Sequence, residues 1–178
     1  LCPFGRLHLF EPQRLRSQLI SANALPAGHT NLVVHEALAA PPHTEQAVWA
    51  GFDPFSESTP RDSGNLPHKE PVPVRSVDRL DLDACHLLIA QPPVPLHLFL
   101  RSASATVRRT RPGLLLRLAA KEDIAATAAW LQSRDYTLLA RPVVPDLNAS
   151  PEGDLYVVLG FPSERPIAAP EWSNVQVA

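Results

Sequence analysis

Short apolar runs alternate with stretches of helical spacing along most of this 178-residue chain, and that alternation constrains the fold more than any other feature. Arg6-Leu7-His8-Leu9-Phe10 is an apolar run stopped by Glu11-Pro12, the pattern of a buried strand with an abrupt end. Pro12 suits the first turn of a helix. Leu15, Leu19, Ile20 and Ala22 then recur at helical spacing, with Arg14, Arg16 and Gln18 on the opposite face. This helix is expected to end near Asn23, ahead of Pro26 and Gly28. Residues 31–38 and 46–52 read as strands. Residues 53–71 lack periodicity and read as a loop, after which residues 72–77 alternate and lead into Asp78-Arg79-Leu80.

Leu87-Leu88-Ile89-Ala90 is a continuous apolar run, as expected of a central parallel strand covered on both faces. Residues 96–111 are predicted as one helix with Leu96, Leu100, Ala103 and Val107 on a single face, broken by Pro112-Gly113 before a strand at 114–118. The clearest helix spans 122–134, where Glu122 and Asp123 suit the positive end of the helix dipole. Residues 136–140 and 155–161 flank a Pro/Asn loop and are expected to pair as an antiparallel hairpin. Strand and helix therefore alternate, which argues for an α/β fold with a mainly parallel sheet and helices on both faces. The Pro-rich tail, 162–178, is expected to be irregular, leaving one domain over 1–161.

The net charge of −2 selects neither for nucleic acid nor for an anionic membrane. Of 16 basic residues only Lys69 and Lys121 are lysines. Arg108, Arg109 and Arg111 read as a solvated helix end rather than a phosphate-binding patch. Cys2 and Cys85 make no disulfide framework and read as reduced thiols of a cytoplasmic protein. No apolar run approaches the ~20 residues that span a bilayer, and the N-terminus lacks the features of a signal peptide. The Asn148-Ala149-Ser150 sequon, followed by Pro151, reads as accidental. The absence of Met, even at position 1, predicts that the chain is not a complete translation product. Its 20 prolines mark loops.

Chemistry is most legible at Glu11. In a nucleotide-binding α/β unit, an acidic residue at the C-terminal end of a strand accepts hydrogen bonds from ribose hydroxyls. A carboxylate suits that task because it only accepts and can take both hydroxyls. The surroundings extend the pattern. Leu9-Phe10-Glu11-Pro12, then Leu19 and Asn23-Ala24-Leu25, then Val33-Val34 and Glu36-Ala37-Leu38 resemble the FkbM-type S-adenosylmethionine-dependent methyltransferases. Ser63-Gly64-Asn65-Leu66 is similar to that family's Gly/Ser/Asn loop, and residues 74–80 to its "V-x-x-x-LDdL" element. Residues 87–118, with Leu100-Arg101-Ser102-Ala103 and Arg111-Pro112-Gly113-Leu114-Leu115-Leu116, are similar to its "LRGA" helix and "RPxLLLE" strand; residues 131–136 are similar to its "LxxxGY" ending. The resemblance covers residues 6–161.

The resemblance implies a Rossmann-like class I methyltransferase fold with S-adenosylmethionine as cofactor and a small-molecule acceptor, commonly a hydroxyl of a sugar or natural product. It places Glu11, Phe10 and Ala37 at the cofactor, and Gln91 and Asp78 as candidates at the substrate edge. It also exposes departures. Where the family carries "KxDxEG", this chain has Ile89, Gln91, Pro93 and Val94 in place of Lys, Asp, Glu and Gly. Gln91 can hydrogen-bond but is no base at neutral pH. Arg117 and Leu118 occupy the region of the "RPxLLLE" acid. The first strand and the glycine loop that would cradle the cofactor are missing. No catalytic residue is assigned. These losses motivate an alternative reading, a catalytically inactive α/β module with a binding or structural role.

Other residues support simpler readings. The seven histidines lack tight ligand spacing, and His35-Glu36-Ala37-Leu38-Ala39 is not HExxH, so no metal site is expected. Ser102 and Ser104 lack a His/Asp grouping. Trp49, Trp130 and Trp172 read as core or rim aromatics, and Asp78 also suits a structural cap.

Overall fold

The structure, a computed structural model, describes residues 5–44, 47–50, 69–91, 96–118, 121–143, 155–165 and 173–174. The chain divides into two compact units, Leu1–Ser76 and Val77–Ala178.

In the first unit, β1 (Leu7–Phe10) and β2 (Leu32–His35) pair in parallel, with Leu7 opposite Leu32 and Phe10 opposite His35. The crossover that parallel pairing requires is α1 (Arg14–Ala24). This helix ends where Gly28 adopts φ +74°, a conformation that has no steric penalty for glycine, and His29 N–H donates to Ala24 O at 2.9 Å. The helix does not bury the predicted apolar stripe. Leu15 and Leu19 remain 45% and 46% exposed, while Ser17 and Ala24 are buried. A polar contact accompanies this orientation: the Ser17 hydroxyl lies 2.8 Å from Arg14 O and 3.2 Å from Glu36 Oε2.

The strand expected at 31–38 is two strands. The chain turns at Glu36-Ala37, where Ala37 N–H donates to His35 O at 2.8 Å. β3 (Leu38–Ala39) then pairs in parallel with β6 (Val74–Arg75). β4 (Ala47–Ala50) forms an antiparallel ribbon with β5 (Lys69–Val72), Ala47 opposite Val72. The predicted loop thus ends earlier than expected, because a two-stranded ribbon accommodates Pro71 where a central strand would not. Ser63–Leu66 lie outside the described residues.

The second unit begins with a 3-10 turn, Val77–Leu80, followed by β7 (Leu87–Ala90), α2 (Leu96–Ser102), α3 (Ser104–Thr110) and β8 (Gly113–Leu118). After α4 (Lys121–Gln132) come β9 (Tyr136–Val143), β10 (Leu155–Pro162) and β11 (Ser173–Asn174). The sheet order is β11-β9-β10-β8-β7. β7 and β8 run parallel; β10 runs antiparallel to both β8 and β9. The expected C-terminal hairpin is present, and β10 enters the sheet between its partner β9 and β8. The tail is not wholly irregular: β11 pairs with the outer edge of β9, satisfying backbone groups that an edge leaves open.

Leu96, Leu100, Ala103 and Val107 are all buried, as their spacing predicts. The helix that carries them is nevertheless broken at Ala103 (φ −109°, ψ 13°), whose N–H is shared between Phe99 O and Leu100 O. β7 departs further from expectation. Among the described residues it is the outermost strand of its sheet, and its residues alternate: Leu88 and Ala90 are buried, whereas Leu87 and Ile89 are 55% and 47% exposed. A run of four apolar residues can come from a half-covered strand as readily as from a central one.

Leu114, Leu116 and Leu118 on β8 are fully buried with Leu131 and Val158, each worth roughly 1.5–3 kcal/mol in transfer from water. Arg111 binds the ends of three elements. It caps α3 in the left-handed region (φ 51°), donates from Nε and Nη2 to the two Glu164 carboxylate oxygens at 2.9 and 2.7 Å, and donates to the carbonyls of Arg134 and Asp135. Those bonds hold the Glu164 carboxyl down at about 2. Burial pushes the Tyr136 phenol, which donates to Pro112 O, up to about 12. The fold is mixed α/β, with parallel strands joined through helices.

Candidate functional site

β1 and β2 each end on a carboxylate. Glu11 directly follows Phe10, and Glu36 directly follows His35. Parallel strands deliver both to the same edge. The ladder continues one step beyond β1, since Glu11 N–H donates to His35 O at 3.0 Å. Glu11 Oε1 accepts from Gln13 N–H at 2.8 Å, which satisfies a backbone donor at the start of α1, where no cap forms from the Gln13 side chain. Among the described residues Oε2 has no partner, and the neighbouring buried Gln13 Oε1 has none either.

Phe10 reaches this edge through a stack of rings. Its ring lies 4.7 Å from that of His35, and His35 lies 5.3 Å from His8 at an interplanar angle of 11°. His8 Nδ1 and His35 Nε2 are 3.0 Å apart, so one ring donates and the other accepts across β1 and β2. Ala37 is fully buried, and its N–H is used in the turn to His35 O. The polar group presented at this end of β2 is instead Glu36. Sequence reasoning passed over Glu36, although the signal was the same as for Glu11: an acid immediately after an apolar run.

An open cavity of about 280 Å³ lies beside α1, lined by Ser17, Gln18, Ser21, Val34 and Glu36. Glu11 is not among its walls, so the ribose reading rests on the strand edge and not on this hollow.

The two residues named for the substrate edge differ in their surroundings. Asp78 closes the start of α3. Its Oδ2 accepts from Ala105 N–H at 2.9 Å, and its Oδ1 from Thr106 N–H at 2.7 Å and the Thr106 hydroxyl at 2.8 Å. These are the bonds of a helix cap supplied from outside the helix. Gln91 follows β7 and is exposed; Pro92–Val94 lie outside the described residues. Arg109 is tied to Asp81 at 3.3 Å and to Leu82 O at 2.9 Å. Among the described residues no three His, Cys, Asp or Glu side chains gather around one point, and no helix is long and apolar enough to cross a membrane.

No protein-family profile and no curated protein matches the chain. Among solved structures it is similar to a methyltransferase FkbM from Methylobacillus flagellatus KT, with a TM-score of 0.61 at 18% identity over 88% of this chain. A precorrin-6y C5,15-methyltransferase from Geobacter metallireducens GS-15 aligns with a TM-score of 0.49 at 14% identity, covering 90% of this chain and 70% of that one. The chain spans 36% of the length of the FkbM structure. At this identity the likeness concerns the fold: the chain has a Rossmann-like α/β fold of the methyltransferase kind.

Proposed function

We propose that this chain belongs to an S-adenosylmethionine-dependent methyltransferase that acts on an oxygen of a sugar or other small hydroxylated acceptor. The observation that carries the reading is the carboxylate of Glu11 at the C-terminal end of a parallel strand, in a fold similar to that of an FkbM methyltransferase. The residues present fit the cofactor at its ribose. Glu11 Oε2 is uncommitted among the described residues, and two vicinal hydroxyls are donors that a carboxylate can take together. The cofactor, when bound, supplies an electrophilic methyl group. The chain's own residues bind and orient: Glu11 fixes the ribose, Phe10 sets the floor beside it, and Glu36 adds a second acceptor at the same edge. Gln91, at the end of β7 in the second unit, offers hydrogen bonding only, since an amide takes no proton at neutral pH. Alignment of nucleophile and methyl then supplies much of the rate.

Calorimetric titration of the protein with S-adenosylmethionine tests the reading. Binding is expected, and Glu11→Ala should weaken it by about tenfold to a hundredfold, the range for loss of hydrogen bonds to a charged acceptor. Absence of binding, or equal affinity in Glu11→Ala, overturns it.

A further inference from the structure

The His8–His35 contact is unusual in what it joins. It lies on the face of the β1–β2 pair that carries Phe10, and it links the two strands whose ends carry the candidate cofactor edge. His35 is buried, and it holds the end of β1 twice: its ring stacks on Phe10, and its carbonyl accepts the Glu11 N–H. Anything that displaces His35 is therefore felt at Glu11.

The contact also has a limited range of protonation states. With both rings neutral, one nitrogen carries the hydrogen and the other accepts it. One added proton can still be accommodated, as an imidazolium donating to an imidazole. A second cannot, because both facing nitrogens then carry hydrogen and both rings are cationic. We propose that the His8–His35 pair is an acid-sensitive latch, holding the Phe10–Glu11 end of β1 against β2 while neutral and releasing it when both rings are protonated. This rests on the reading of Glu11 as the cofactor carboxylate only for its consequence, which would be weaker cofactor binding in acid.

The charged groups around the pair point the same way. Burial first, and then the Arg6 guanidinium, hold His8 below the usual imidazole range. Burial, then His8, then Arg75 on β6 do the same for His35. The adjacent carboxylates are turned elsewhere, Glu11 to Gln13 N–H and Glu36 to the Ser17 hydroxyl. For a group whose folded pKa is depressed in this way, the opened state binds more protons below about pH 6.5, so the closed state loses stability as the pH falls through that value. The loss continues until the closed pair itself titrates.

Amide hydrogen exchange of the protein from about pH 7.5 to about pH 4.5, corrected for intrinsic rates, reads this directly and needs no cofactor. Protection of the Glu11 amide should fall by up to about tenfold per pH unit for each proton taken up on opening. The Leu116 amide on β8 should keep its protection. In His8→Gln, which retains a hydrogen-bonding group but removes one titrating ring, the acid loss at Glu11 should be reduced. Unchanged Glu11 protection across the range, equal loss at Leu116, or the same loss in His8→Gln would each overturn the proposal. A protein that failed to bind S-adenosylmethionine but showed the exchange pattern would refute the cofactor reading and leave the latch standing.

Discussion

A single hydrogen atom in place of a side chain decides the packing at Gly160. On β10 this residue stands opposite Leu114 of β8 and Leu138 of β9. A Cβ there would lie 3.0 and 3.2 Å from Leu114 carbons and 3.2 Å from Leu138 Cδ2. Leu114 is fully buried and has little room to yield. Gly160→Ala is therefore expected to destabilise the protein by roughly 1–3 kcal/mol in chemical denaturation; a stabilised variant would show that the leucines repack freely. Residues of this kind are hard to read in a sequence, because a glycine in a strand can equally mark a bulge. Glu11 was legible as an acid that ends an apolar run, a place that suits a turn or a helix start as well as a ligand; in the structure it follows β1 and its Oε1 accepts from Gln13 N–H. Glu36 carried the same mark but stood inside what read as a continuous strand over 31–38, and only the turn at Ala37 puts it at an edge.

Elements were legible where periodicity is imposed by burial on one side. The stripe Leu96, Leu100, Ala103 and Val107 predicted a buried helical face, and all four are buried. The interruption at Ala103 left no mark, because each half keeps the same stripe. α1 reversed the logic: its leucines are half exposed, and its inward face carries Ser17, whose contact is with a carboxylate rather than with apolar surface. α3 shows how an element can depend on a residue far from it in sequence. Its first amide donors go to Asp78, 27 and 28 positions earlier. Asp78→Ala should cost about 1–2 kcal/mol by leaving those donors without their acceptor. Denaturation of Asp78→Ala beside Asp78→Asn checks this, because the amide oxygen restores one acceptor and should recover part of the loss. Equal stability of all three proteins would refute the capping role.

For the molecule as a whole, the alternation of strand and helix sufficed to give an α/β fold, and the order of the elements gave the resemblance that the structural comparison supports at the level of fold. It gave the β9–β10 pairing but not the place of β7. The run Leu87–Ala90 read as central and is, among the described residues, the outermost strand of its sheet, because position in a sheet is set by pairing and not by local composition. A ligand that binds the folded protein must stabilise it. S-adenosylmethionine at a hundredfold excess over Kd should contribute about 2.7 kcal/mol, raising the unfolding temperature by roughly 5–10 °C for a chain of this length. Under the same conditions Glu11→Ala should shift far less; identical shifts would move the binding site elsewhere.

The place of β10 bears on how the protein is made. Of the other strands in its sheet, β7, β8 and β9 are all synthesised before it, yet β10 is the strand that joins β8 to β9. On the ribosome, β8 and β9 must wait with open edges until residues 155–162 emerge, at a pace of about 5–20 residues per second. During that interval the leucine-rich β8 is a template for pairing with other nascent chains. Long-range closure of this kind leaves the second unit open to mispairing until β10 has emerged.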